Sequence, residues 1–217
     1  TIGGGGANTI QGNFGNSTIA GGVSHCITSG NGAIGGGAGN IVSATSATIG
    51  GGVTNTAEGI GSVVGGGNTN KAGGNYSTIG GGLINETCLN VSFVGGGQEN
   101  IANGVYATIA GGYRNITSPY SFIGSGQDNT SSADYTVIGG GTLNTASAFG
   151  SVIGGGFTNK VFGCYSFIGG GHINCITDAY STIGGGTSNW AYSPSATIAG
   201  GTENYAGAAC STIGGGR

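Results

Sequence analysis

Aliphatic residues return along this chain at a fixed interval. Ile or Val stands at Ile2, Ile19, Ile34, Ile49, Val64, Ile79, Val94, Ile109, Ile123, Ile138, Ile153, Ile168, Ile183, Ile198 and Ile213. The first spacing is 17 residues, one later spacing is 14, and all others are 15. Self-similarity at a fixed period is the sequence mark of a repeat architecture. With the aliphatic residue as position 0, position +3 is Gly in every repeat, from Gly5 to Gly216. Position −2 is always small, as in Ser77, Ala107 and Ser181, and position +8 is small or β-branched, as in Ile10, Ala57, Val161 and Ala206.

Position +6 is Asn8, Asn40, Asn55, Asn70, Asn85, Asn100, Asn115, Asn129, Asn144, Asn159, Asn174, Asn189 and Asn204, and only His25 breaks that column. The pattern excludes helix, because each of the recurring glycines costs roughly 1 kcal/mol there. Alternation with period 2 predicts a half-buried strand from about −3 to +1, with −2 and 0 inward and −3 and −1 outward. A second short strand is expected near +5 to +9, with +6 and +8 inward. The glycines form the corner, where positive φ or a close backbone approach forbids a side chain. A single turn has no core of its own, so turns must stack. The fold class that follows is all-β: a parallel β-solenoid, or β-roll, of about fourteen 15-residue turns. Stacking brings like residues into columns, and the asparagines can pass amide hydrogen bonds from turn to turn.

The two irregular repeats fit this phase. The short one runs through Ser118 and Pro119, and the long one carries two extra residues around Asn13 to Gly15. Length variation belongs in loops, so positions +9 to +11 are the expected exposed connection. Thr1 begins inside a repeat, and the chain closes on Ile-Gly-Gly-Gly-Arg217 with no capping element. The expectation is a single solenoid domain over residues 1–217, part of a longer repeat array.

Composition sharpens the picture. Gly supplies 55 of 217 residues, DEKR only 5% and Pro 2. Gly does not recur at every third position, so the chain is not collagen. The recurring Ile, Val, Tyr and Phe argue against a disordered linker. No run of eighteen apolar residues occurs, so no membrane span is expected, and a net charge of −3 argues against nucleic-acid binding.

The charges are confined to part of each turn. Glu99, Arg114, Asp128 and Glu203 are at +5, Lys71, Glu86 and Lys160 at +7, Glu58 at +9, Asp178 at +10, Asp134 at +11 and Arg217 at +4. Nothing from −3 to +3 is charged in any turn. That span carries Tyr76, Tyr106, Tyr120, Tyr135, Tyr165 and Tyr180 at −3, and Phe93, Phe122 and Phe167 at −1. Beside them runs a band of glycines that includes Gly140, Gly155 and Gly170. A continuous uncharged apolar face exceeds what a soluble monomer exposes. These residues form the expected lateral interface with another solenoid.

No site chemistry emerges. The acids are scattered over turns and columns, and His25 and His172 stand nearly ten turns apart in the sequence. No catalytic, cofactor-binding or metal-binding residues are assigned, and no enzyme is expected. Cys26, Cys88, Cys164, Cys175 and Cys210 form no CxxC pair. They read either as small residues tolerated in a repeat or as partners in disulfides. Six Asn-x-Ser/Thr sequons occur. Asn85, Asn115 and Asn129 fall in the inward column, which leaves Asn16, Asn75 and Asn90 as the candidate glycosylation positions.

The repeats "YSTIGGGLINETCLN" and "YSFIGGGHINCITDA" resemble the head repeats of trimeric autotransporter adhesins of the YadA and haemagglutinin type, and β-roll repeats of viral and surface fibres. The resemblance covers the whole chain as a pattern. It implies a parallel β-roll, lateral oligomerisation and an extracellular or surface location. The leading expectation is a structural fibre or filament whose partner is the chain itself. The alternative is an adhesin or receptor-binding head. In that case Tyr113, Arg114, Trp190 and Tyr205 would meet surface glycans or a host receptor. Ice binding is a third class, disfavoured because Phe93, Phe122 and Phe167 interrupt the threonines at −1.

Overall fold

The computed structural model describes residues 1–11 and 15–217. Gly12, Asn13 and Phe14, where most of the long repeat's insertion falls, lie outside the described residues. The chain divides into two compact units, Thr1–Gly112 and Tyr113–Arg217. Both are parallel β-solenoids, and no helix occurs among the described residues.

Each turn contributes two strands of two residues. In the first unit, Thr78–Ile79 occupies positions −1 and 0, and Glu86–Thr87 occupies +7 and +8. Thr78–Ile79 pairs in parallel with Val63–Val64 on one side and Phe93–Val94 on the other, fifteen residues away in either direction. Glu86–Thr87 pairs likewise with Lys71–Ala72 and Ile101–Ala102. Single bridges at +4, such as Val53↔Asn68 and Asn68↔Leu83, make a third short ladder. The second unit repeats the scheme, with Val152–Ile153 paired to Val137–Ile138 and Phe167–Ile168, and Lys160–Val161 to Thr145–Ala146 and Cys175–Ile176. The core of each unit is a spine of position-0 residues, such as Ile79 and Ile109 in the first and Ile153 and Ile168 in the second, all fully buried with the small or β-branched residues at +8.

The strands are shorter than the alternation predicts. Positions −3 and +5 are not extended but left-handed in every described turn. At +5 the non-glycine residues have φ of 52–58°, and at −3 they have 54–68°. Tyr76, Tyr106, Tyr120, Tyr135, Tyr165 and Tyr180 therefore sit on corners beside the first strand, not within it. The hydrogen bonds give the reason. Most backbone N–H groups point toward the following turn, as Thr48 N donates to Ser62 O and Val53 N to Gly67 O. A left-handed residue reverses its peptide, so Thr54 N donates back to Ala38 O and Tyr76 N back to Ile60 O. The corner turns without stranding a donor, at roughly 1–2 kcal/mol of local strain per non-glycine residue.

Candidate assembly surface

The three glycines of each turn differ in why they are glycine. At +3 the backbone needs positive φ, as at Gly156 with φ 96°. A Cβ there would lie 2.2 Å from Gly171 O and 2.7 Å from Asn159 Nδ2. At +1 a Cβ on Gly154 would lie 2.4 Å from Gly169 O, although Ala20, Ala110 and Ala199 hold this position in other turns. At +2 neither reason applies outside Gly36 and Gly215, the two glycines of this column with positive φ. A Cβ on Gly155 or Gly170 would approach nothing closer than 3.8 Å, and one on Gly140 nothing closer than 3.5 Å. Ser125 holds the same position and fits.

Phe93, Phe122 and Phe167 at −1 point outward and are about two-fifths exposed. Their ring edges lie 3.4–3.5 Å from where a Cβ on the +1 glycine would stand. The bare glycines thus seat the rings and continue the same uncharged face.

The asparagine column, unlike this surface, is buried and hydrogen-bonded. In the first unit Asn40, Asn55, Asn70, Asn85 and Asn100 are fully buried, as are Asn115, Asn129, Asn144, Asn159, Asn174 and Asn189 in the second, with Asn204 in the same column. Asn159 Nδ2 donates to Asn144 Oδ1 (3.2 Å), to Gly155 O (3.0 Å) and to Gly171 O (3.0 Å). Its Oδ1 accepts from the backbone N–H and Nδ2 of Asn174. The +3 glycines bring their carbonyls into reach of this amide, so the Gly and Asn columns are one device. Asn85, Asn115 and Asn129 have no exposed amide on which to carry a glycan.

At the other sequons Asn16 and Asn90 are exposed and Asn75 is half-buried. Asn75 Oδ1 accepts from Ile60 N (2.8 Å) and Asn90 Oδ1 from Asn75 N (3.1 Å). The corner tyrosines are exposed, and Tyr120 stacks on Tyr135, and Tyr165 on Tyr180.

Five of the charged residues form ion pairs, in two groups. Lys71 Nζ lies 3.3 Å from Glu58 and 3.6 Å from Glu86, and these carboxylates, Glu58 foremost, raise its pKa. Arg114 holds Asp128 through Nε and Nη2 at 2.7 and 2.8 Å and lies over the Tyr113 ring at 4.7 Å. That hydrogen bonding, with help from Gln127, holds the Asp128 carboxyl below its ordinary range. Trp190 stacks on Tyr192, which stacks on Tyr205. All five cysteines are free thiols. Burial pushes the Cys175 thiol up, and burial with Glu86 does the same for Cys88. No cluster of three or more potential metal ligands occurs among the described residues, and no helix among them is long and apolar enough to cross a membrane.

Two features escaped the periodicity. The left-handed corners carry Ile84, Val91 and Ile173, residues that give no hint of positive φ. The buried serines at −2 form a second, partial ladder, with Ser166 Oγ accepting from Ser181 N and Ser181 Oγ from Ala196 N. Their regular smallness was legible, but their hydrogen bonding was not.

No protein-family profile matches the chain, and no curated protein shows significant similarity to it.

Proposed function

We propose that this chain is a structural segment of an extracellular or surface fibre, in which solenoids associate laterally through the uncharged −1 to +2 face. The middle glycine carries this reading. A glycine in extended structure destabilises a chain by roughly 0.5–1 kcal/mol relative to alanine, and nothing within the turn requires it. A neighbour that approaches the backbone closely does. The absence of charge from −3 to +3 supports the same face, because an unpaired charge buried in a contact costs several kcal/mol. The partner that repeats at the same interval along its length is a second copy of this chain.

The test places lysine at Gly140, Gly155 and Gly170 in one variant, and at Leu143, Thr158 and Ile173 in another. Mass per length by electron microscopy and sedimentation should show the glycine set dissociating the assembly and the +5 set leaving it intact. A more disruptive +5 set, or a wild-type chain that stays dispersed and monomeric, overturns the reading. An adhesin head is the second reading, supported by the stack of half-buried Trp190 on exposed Tyr192 and Tyr205. Binding to a glycan array that is abolished by substitution at Trp190 and Tyr205 would favour it.

A further inference from the structure

The tyrosines at −3 stand on adjacent corners of the same face, and their rings meet. Tyr120 and Tyr135 have ring centroids 4.9 Å apart and planes 7° from parallel. Tyr165 and Tyr180 are 5.6 Å and 9° apart. All four side chains are about half exposed or more. Phe149 separates the two couples, 5.2 Å from Tyr135 and 5.5 Å from Tyr165. Both phenols of each couple are therefore open to solvent and held ring to ring by the backbone ladder.

We propose that these couples are sites of oxidative crosslinking, in which Tyr120 joins Tyr135, and Tyr165 joins Tyr180, as dityrosine. The oxidant is a peroxide used through a haem-peroxidase-class catalyst. Each phenol gives up one electron and one proton, so two phenols reduce one hydrogen peroxide to two waters. The two phenoxyl radicals form a carbon–carbon bond between ring carbons ortho to oxygen. The hydrogens on those two carbons move to the oxygens as the rings regain aromaticity. The product is a biphenol lighter than the two tyrosines by two hydrogens.

Geometry, not exposure, selects the partners. Because the side chains project from corners into solvent, the rings can swing about χ1 and χ2 until the ortho carbons meet. A phenylalanine ring forms no phenoxyl, so Phe149 separates Tyr135 from Tyr165, while Tyr106 holds the −3 position of the turn that precedes Tyr120 in sequence. Tyr76 is the most exposed of the six corner tyrosines at 66%, yet the adjacent turns carry Gly61 and Val91 at −3 and offer it no phenol. Each crosslink joins residues 15 apart in sequence and ties one turn to the next. The Tyr120–Tyr135 crosslink spans the part of the second unit where strand pairing is thinnest, since Ile116–Thr117 and Thr130–Ser131 share only the Ile116↔Thr130 pair. The inference holds whether or not the solenoids associate laterally.

The test treats the full chain, dilute, with a haem peroxidase and limiting hydrogen peroxide. Expected are dityrosine fluorescence, a monomer mass lowered by two hydrogens per crosslink, and peptides joining Tyr120 to Tyr135 and Tyr165 to Tyr180. Tyr135→Phe should remove the first product and keep the second, and Tyr180→Phe the reverse, with circular dichroism unchanged. Coupling of Tyr76 as frequent as that of Tyr135, or products that form only between chains, would overturn the proposal. So would oxidation without any intrachain dityrosine.

Discussion

Asn55 Oδ1 accepts two hydrogen bonds from Asn70, one from the backbone N–H at 2.9 Å and one from Nδ2 at 3.2 Å. Each asparagine therefore closes its own amide and the next residue's backbone donor at once. A column of such residues replaces the helix caps and tight turns by which other folds satisfy sharp corners. It also explains why a chain with so little buried apolar volume per turn keeps one register. A slip by one residue would set each amide against the +5 or +7 column, where residues such as Thr69 and Lys71 stand, and would break the ladder.

Asn70→Ala should for this reason be severe. It removes the donors to the part-buried carbonyls of Gly66 and Gly82 and the acceptors of the buried Asn85 N and Nδ2. Leaving buried groups unsatisfied costs about 1–3 kcal/mol each, so a loss of roughly 3 kcal/mol or more is expected in denaturant unfolding. Asn68→Ala, on the exposed +4 ladder, should cost less than about 0.5 kcal/mol.

His25 is the break in the first unit's ladder, and replacing it should stabilise the chain. Its Nδ1 accepts from Asn40 N at 3.1 Å, which puts the ring proton on Nε2, and Nε2 is buried without a partner. His25→Asn restores an amide in reach of the Gly21 and Gly37 carbonyls, by analogy with Asn40, which donates to Gly36 O and Gly52 O. It also returns an acceptor to Asn40 Nδ2. A gain of about 1–2 kcal/mol is expected, read as a higher denaturation midpoint with the same slope.

The architecture was legible because its cause is periodic. Ile79 and Asn85 recur in phase with their neighbours, and the period alone placed both indoors. The strand limits were not, because they are set by backbone reversal and not by side-chain type. Tyr76 and Ile84 look like strand residues and stand at φ 56°. Stacking over-determines these corners, since reversed N–H groups such as those of Tyr76 and Ile84 find carbonyls of the previous turn, and that overrides the preference of aromatic and β-branched side chains for extended backbone. The candidate surface was half legible. Its lack of charge is in the sequence, but the distinction between the middle glycine and its two neighbours requires the positions of the adjacent turns.

The Arg114–Asp128 pair makes an acid-side prediction. The folded-state pKa of Asp128 lies below its ordinary value of 3.8, chiefly through the hydrogen bond from Arg114. A depressed carboxyl contributes stability that is present above its unfolded pKa and is lost as pH falls through the folded one. The contribution should therefore be intact at neutral pH and fade below about pH 4. Carboxyl chemical shifts in an NMR titration should show Asp128 titrating below the ordinary aspartate range. Asp128→Asn should flatten that part of the stability profile, and high salt should weaken the difference because Arg114 is exposed and Asp128 only partly covered.

Adjacent glycines provide the sharpest separation of folding from assembly. Gly156→Ala asks an L-residue to adopt φ near 96° with its Cβ 2.2 Å from Gly171 O and 2.7 Å from Asn159 Nδ2. It should destabilise the turn by several kcal/mol, through strain and through loss of the amide ladder. Gly155→Ala meets nothing nearer than Gly140 O at 3.9 Å. In the dispersed chain it should be neutral or stabilising by up to about 1 kcal/mol, because alanine loses less backbone entropy on folding. In the assembled state the sign should reverse if a neighbour's backbone approaches this column, since every added methyl then holds the two surfaces apart. Unfolding of dispersed chains, compared with the critical concentration for assembly, measures the two effects separately. A Gly155→Ala variant, extended to Gly140 and Gly170, that assembles as readily as the wild type would remove the reason for placing a partner on this face.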